Sequence, residues 1–418
     1  MTAHVGTDTN VGTFEVAGLP AVDFEAFHRH ELPRRLDRGV NGQVAWDVAG
    51  RAPCAIQLPG GPAYSYIARD GRVDVVPGVV DDAELVLEIP LTAWQDYVYE
   101  FRTRFGLLYS QAVNFVRGDF DIWDHWEPAI RCMYSGREIY NPAALDFRDV
   151  DGSPLDLQRS FSPDDSAEQM SHFLRTTGYL VVKDAFADRL DELSDEVDRL
   201  RDEAREGELW SWWASDQNGR RFPFRLLYMA LRSDLIASLD DDPTVRRLIG
   251  LGDVDVVPVP DRVEGHLAVL KPFGNDAEVT GFANLPWHKD CGLGGCPLTC
   301  PAVQVGIQLD AANAESSQLV MMAGSQGKVC HDRPTDDEVE QLPVVALQTE
   351  PGDASVHMTC ALHAGPEPTG PNPRRTLYIP FYNPRTYDLI GPLQGYQQLI
   401  PGWGGGDIPT PEDVQQAY

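Results

Sequence analysis

A histidine and a carboxylate two positions apart, followed far downstream by two more histidines and a pair of arginines, are the residues here best suited to metal chemistry. The stretch LPWHKDCGLGGCPLTC, residues 285–300, sets His288 and Asp290 beside Cys291, Cys296 and Cys300. Three thiolates near an imidazole would suit zinc. Structural zinc sites, however, are closed tetrahedra built from paired cysteine or histidine elements. The spacing here is C-x4-C-x3-C, and the next cysteines, Cys330 and Cys360, stand alone. The three read better as small side chains of a buried loop.

Iron makes a different demand. A non-haem Fe(II) oxygenase holds its metal with two neutral imidazoles and one carboxylate, leaving positions open for a co-substrate and O2. His288 and Asp290 point the same way if the segment is extended. The second imidazole must come from another strand, and His357 and His363 compete for that place. A 2-oxoglutarate co-substrate would also need a fixed cation for its far carboxylate, best met by arginine. RRTLYIPFY, residues 374–382, reads as a strand that opens with two arginines. Arg375 shares a face with Leu377, Ile379 and Phe381, so it is predicted to point into a barrel and Arg374 outward. His363 precedes Arg375 by twelve residues, room for a loop into that strand, whereas His357 lies eighteen before it. This spacing favours His288, Asp290 and His363 as metal and catalytic residues, with Arg375 binding the co-substrate.

These side chains need elements to position them. Residues 1–13 read as a flexible tail, and 14–139 as a first α+β domain. In that domain GQVAWDVAG, CAIQL, AYSYIARDGRVDVVPG and ELVLEIP alternate with period two between Gly and Asp-Gly turns, and LTAWQDYVYEF follows as a helix. Residues 140–165, scattered with Pro, Gly and Asp, are expected to be a linker. The second domain, 166–418, opens with a helix over SPDDSAEQMSHFLRTTG, with Ser162 as N-cap and Gly178 as terminator. YLVV is a short strand. DRLDELSDEVDRLRDEAREGE then places Leu190, Leu193, Val197 and Leu200 on one face of a charged helix. WSWWASDQNGRRFPF, residues 210–224, reads equally as an active-site lid or as tryptophans at helix packing positions. A further helical stretch is expected over 225–249. From Val263 onward short strands separated by Gly/Pro-rich loops predict an antiparallel double sheet or barrel.

WHKD, LDAANAESSQLVMMAGSQGK and LHAGPEPTGPNPRRTLYIPFY together resemble the phytanoyl-CoA dioxygenase family of Fe(II)/2-oxoglutarate oxygenases. Asp310, Asn313, Glu315 and Ser325 stand where that family's Asp…Asn-x-Glu-Asn-Gly…Pro-Gly-Ser-His stretch requires them. Ser316 and Ser317 replace Asn-Gly, and Gln326 replaces the His. The resemblance covers about residues 166–385. It implies a C-terminal double-stranded β-helix of the jelly-roll or cupin kind with flanking helices. It also implies Fe(II) on His288, Asp290 and His363, with 2-oxoglutarate on Arg375 and O2 as oxidant. Lys271 in VLKPFG would be a further carboxylate or substrate contact, against the plainer reading of a solvated strand-end lysine. The activity implied is oxidation of an unactivated C–H in a small, hydrophobic, lipid-like or natural-product substrate, giving succinate and CO2. Related halogenases carry Gly or Ala in place of the carboxylate, so Asp290 favours hydroxylation. The N-terminal segment DDAELVLEIPLTAWQDYVYEF…VNFVRGDFDIW resembles a sterol carrier protein domain less closely, chiefly in VRGDFDIW. This second resemblance implies an apolar tunnel, and with it an alternative reading as a lipid or acyl-CoA carrier with an inactive oxygenase-like domain.

Bulk composition narrows the partners. The 418 residues carry a net charge of −30, which repels phosphate backbones and anionic lipid. Hydrophobic content of 43% with nine tryptophans supplies cores for more than one domain. No run approaches a membrane span, MTAHVGTDTN is not a secretory leader, and seven scattered cysteines do not form a disulfide framework. A cytoplasmic, reduced setting is the expectation.

Overall fold

The computed structural model describes residues 20–216, 218–271, 285–291, 294 and 302–393. The chain forms two compact units that divide between Gly136 and Arg137.

The first unit opens with helical turns from Phe24 to Asp47, capped by the Asp23 carboxylate on the Ala26 N–H. GQVAWDVAG, expected as a strand, lies in this helical run. Val44 and Val48 are buried four residues apart while Trp46 is exposed, a helical rather than a period-two pattern. Five strands follow in the spatial order Arg72–Pro77, Ala63–Arg69, Cys54–Gln57, Leu85–Glu88, Asn114–Arg117. All pairings are antiparallel except that of Cys54–Gln57 with Leu85–Glu88. Asp70 and Gly71, both at positive φ, make the two-residue turn between Ala63–Arg69 and Arg72–Pro77. VRGDFDIW is split: its strand ends at Arg117, and Asp119 caps a helix over Phe120–Ser135 that Gly136 ends at φ 77°. The aromatic residues of these segments are core, with Trp94, Trp123, Trp126 and Tyr97 fully buried.

A directed hydrogen-bond chain runs through that core. The Phe24 carbonyl can only accept, so His28 Nδ1 donates to it at 2.7 Å and Nε2 accepts from Tyr66 Oη at 2.7 Å. Tyr134 lies 2.5 Å beyond Tyr66. Burial lowers the His28 pKa from 6.5 to about 4 against the pull of the Phe24 bond. The unfolded chain therefore takes up a proton that the fold refuses, and stability is lost as pH falls from 6.5 toward 4. The loss should reach roughly 2–3 kcal/mol at the acid end. Denaturant melts at neutral and acid pH should show it in the native protein and a smaller loss in His28→Gln; equal losses would remove His28 from the account.

In the second unit, residues 140–165 do not act as a free linker. Tyr140, Leu155 and Phe161 are buried in its core, and Phe161 bridges Val182. The next helix is Ala167–Thr177, capped by Ser166 rather than Ser162, whose N–H instead closes a turn on Asp165. Gly178 ends it at φ 88° as expected. The helix Leu190–Glu203 buries Leu193, Val197 and Leu200.

Two antiparallel sheets follow, as in a jelly roll. The larger runs Tyr179–Val182, Ala354–Met358, Val303–Gln308, Arg374–Tyr382, Leu267–Lys271, Arg221–Leu226, Ser211–Ser215. The smaller runs Leu285–His288, His363–Gly365, Val320–Met322, Val344–Ala346. The tryptophan-rich stretch is thus an edge hairpin of the large sheet, neither a lid nor a helix, and Arg225 belongs to its second strand.

Each strand of the large sheet has a strongly apolar face. Val303, Val305 and Ile307, with Leu377, Ile379 and Phe381, share one core with Leu174, Leu193, Val197 and Leu248 of the helices. The covered apolar face is therefore outside the roll. The opposite face carries Gln304, His357, Thr376 and Tyr378 and looks inward.

Candidate metal centre

The two histidines of the predicted triad meet across the small sheet. His288 and His363 are direct cross-strand partners in the antiparallel pairing of Leu285–His288 with His363–Gly365, and their rings lie 4.3 Å apart. Each turns one nitrogen to its own backbone. His288 Nδ1 donates to the Pro286 carbonyl at 2.8 Å, and His363 Nδ1 to that of Ala361 at 2.9 Å. Those bonds fix the tautomers and leave both Nε2 lone pairs available.

Asp290 completes the set. Its Oδ1 lies 3.8 Å from His288 Nε2 and 3.5 Å from His363 Nε2. One ligand atom from each of the three residues falls within 4.8 Å of the others. The remaining oxygen, Oδ2, accepts from Gln304 Nε2 at 2.7 Å and His357 Nε2 at 3.3 Å. His357, the rival third ligand, thus buttresses the carboxylate. Gln304 does the same, and nothing in the local sequence announces it.

Electrostatics prepare the donors for a cation. Burial and the neighbouring His363 drive the His288 pKa down to about 3, so it stays neutral. Burial works against the Asp290 carboxylate, but the histidines around it prevail and hold its pKa well below the ordinary value. Burial likewise opposes the His363 imidazolium, yet Asp290 and the Ala361 carbonyl raise its pKa. Two imidazole nitrogens and a carboxylate oxygen on one side of a cavity suit Fe(II).

The cavity, of about 60 Å3, lies between the two sheets. At its other polar end Lys271 and Arg374 are cross-strand partners on adjacent strands, both buried and both lining it. Lys271 Nζ donates to Ser317 Oγ at 2.5 Å and to the Gly365 carbonyl at 3.3 Å. Burial, and then the neighbouring Arg374, hold the Lys271 pKa well below its usual value; burial also lowers that of Arg374. Two desolvated cations side by side form a socket for a carboxylate.

Arg375 is placed otherwise than predicted. It points to the outer face, where Nε and Nη2 grip both oxygens of Asp310 at 2.9 and 2.8 Å and Nη1 reaches Asp198 at 2.8 Å. The phase error has a physical origin. Leu377, Ile379 and Phe381 mark the helix-covered face, whereas the lining face of the strand is polar. Thr376 and Tyr378 on the arginine strand were the signal for Arg374.

The other motif residues build the frame. Asn313 caps the turn Ala314–Ser316, and Glu315 accepts from Asn372 at 2.7 Å. Ser325 Oγ accepts from the Leu362 N–H at 2.8 Å, next to His363. Ser317 sits at φ 65°, a conformation glycine favours, and is kept there with its hydroxyl on Lys271 and the Pro366 carbonyl. Gln326 donates to the Arg175 and Thr176 carbonyls at the end of Ala167–Thr177. Cys291 is buried beside Asp290 and outside the triad, while Cys296 and Cys300 lie outside the described residues.

A jelly roll carrying two histidines and a carboxylate on the wall of one cavity, with a pair of buried cations lining it too, has the donor set that a non-haem iron site calls for. Residues 174–376 match the profile of the phytanoyl-CoA dioxygenase (PhyH) family. The matched residues lie within the second unit and leave the first outside. No curated protein matches the chain by sequence. Among solved structures, EvdMO1 is 22% identical at a TM-score of 0.40 over 52% of this chain and 50% of its own, so this chain spans about half of that protein. SnoN, a non-heme alpha ketoglutarate dependent epimerase from nogalamycin biosynthesis, is 17% identical at 0.39, covering 52% and 83%. EctD from S. alaskensis, solved with 2-oxoglutarate and 5-hydroxyectoine, is 18% identical at 0.40, covering 59% and 87%. Likenesses of this extent do not bear on the site. Among the described residues no helix is long and apolar enough to cross a membrane.

Proposed function

We propose that the second unit is an Fe(II)- and 2-oxoglutarate-dependent dioxygenase that oxidises an unactivated C–H of a small organic molecule, giving succinate and CO2. The observation that carries this reading is the pairing, in one cavity, of the His288–Asp290–His363 donor set with the Lys271–Arg374 socket. Bound iron would activate O2 as the oxidant, 2-oxoglutarate supplying two of the four electrons O2 requires and the substrate C–H the other two, with one oxygen atom going to succinate and the other to the substrate. The chain's own residues do the rest. His288, Asp290 and His363 hold the metal; Gln304 and His357 orient the carboxylate; Arg374 and Lys271 fix the distal carboxylate of the co-substrate. Leu267, Val269, Leu285 and Leu319 supply an aliphatic wall for the hydrocarbon part of the substrate and keep bulk water out.

Anaerobic addition of Fe(II) and 2-oxoglutarate to the purified protein should produce a weak visible charge-transfer band, and admission of air should then yield succinate. A protein that takes up zinc in preference and shows neither signal would sink the reading.

A further inference from the structure

A second charged couple lines the same cavity and has no part in holding metal or co-substrate. Glu264 is 6% exposed, and its Oε2 accepts from Arg225 Nη1 at 2.8 Å. Its other oxygen, Oε1, is buried with no hydrogen-bond partner among the described residues, and so is Arg225 Nε. Arg225 is fixed in turn by the Trp212 ring, 4.8 Å from its guanidinium carbon.

As a stability device this couple is poor. A buried acceptor left unpaired costs about 1–3 kcal/mol, and an apolar pair of similar volume would serve a jelly-roll interior better. The backbone also carries strain to put the carboxylate there. Val263, a β-branched residue, sits at φ 56° and Tyr228 at φ 51°. The two are tied together, the Tyr228 N–H on the Glu264 carbonyl at 2.9 Å and the Tyr228 hydroxyl on that of Val263 at 2.5 Å. Strain and an orphaned acceptor converge on one side chain at the cavity wall.

We propose that Glu264, clamped by Arg225, is the substrate anchor: Oε1 accepts a hydrogen bond from a hydroxyl or amino group, so the molecule oxidised is a donor-bearing alcohol or amine rather than a bare hydrocarbon chain. The aliphatic wall of Leu267 and Val269 then carries its hydrocarbon part toward the metal. Burial raises the pKa of Glu264, Arg225 opposes this and Asp290 adds to it. The inference rests on the oxygenase reading, which supplies the metal used as reporter.

The test is paramagnetic broadening of probe resonances by site-bound Fe(II), with 2-oxoglutarate present, no oxygen, and the zinc-loaded protein as diamagnetic reference. The probes are hexanediol, its dimethyl ether and hexylammonium. Hexanediol should be broadened about tenfold more than the ether, which lacks any donor. Glu264→Met should remove that preference. Glu264→Gln, which keeps an acceptor for Arg225, should spare hexanediol, able to donate or accept, and release hexylammonium, able only to donate. The ratio between probes is the readout, because general damage to the site would weaken all three together. An ether broadened as strongly as the diol, or a diol preference surviving in Glu264→Met, overturns the anchor. Absence of the 2-oxoglutarate band in the native protein would instead overturn the oxygenase reading.

Discussion

Arg374→Ala should weaken 2-oxoglutarate binding about 100-fold or more while Fe(II) binding persists, and Arg375→Ala should leave it within a few-fold of the native value. The two neighbours differ because the strand sends them to opposite sides of the sheet. Arg374 is buried beside Lys271 at the cavity end, where a dicarboxylate would pair with it out of contact with water. Removing one partner of such a desolvated, hydrogen-bonded charge pair costs about 2–5 kcal/mol. Arg375 spends its donors on Asp310 and Asp198. Its loss should appear in stability, by roughly 1–3 kcal/mol. Calorimetric titration of 2-oxoglutarate into the anaerobic Fe(II) protein, beside denaturant melts, separates the two outcomes. The reverse pattern, with co-substrate affinity lost in Arg375→Ala and kept in Arg374→Ala, would falsify the assigned socket.

His363→Ala should abolish stable iron binding and succinate formation together, whereas His357→Ala should keep the metal with affinity reduced about 10–100-fold. His363 offers Nε2 toward the point shared with His288 and Asp290, while His357 Nε2 is turned to the far oxygen of the same carboxylate. Taking away one of three protein ligands leaves too few donors to hold the ion in an open site. Taking away a buttress leaves the donor set complete but loosened. Metal content after dialysis, measured for both variants, decides the matter. Equal retention of iron in His363→Ala and the native protein would move the third ligand elsewhere.

The readable part of this site was what local spacing controls. His288 ends the strand Leu285–His288 and Asp290 stands two residues on, in the turn that leaves it, so short spacing keeps them close. His363 could be preferred over His357 from its distance to the arginines. The phase of the Arg374–Tyr382 strand could not be read from hydrophobicity, because its helix-covered face is the more apolar one. A rule that equates apolar with interior inverts such a strand. The partners that meet only in three dimensions were hidden for another reason. Gln304 and Glu264 lie on different segments from the residues they serve, so no short pattern links them. In the first unit, GQVAWDVAG failed as a strand because a short apolar run fits either period, and the turns before it extend as helix.

The adjacent arginines also guard the alignment of their strand. A one-residue shift that carries Arg375 inward would still present an arginine to the cavity, so the inner socket alone cannot tell the native alignment from that neighbour. The outer pair of carboxylates can. Of these two alignments, only the one with Arg375 outside gives Asp310 and Asp198 a guanidinium. In the shifted chain those two acids would face Thr376, which offers no charge, while Arg375 entered the cavity. The clamp on the outside is thus a proofreading contact for the chemistry on the inside.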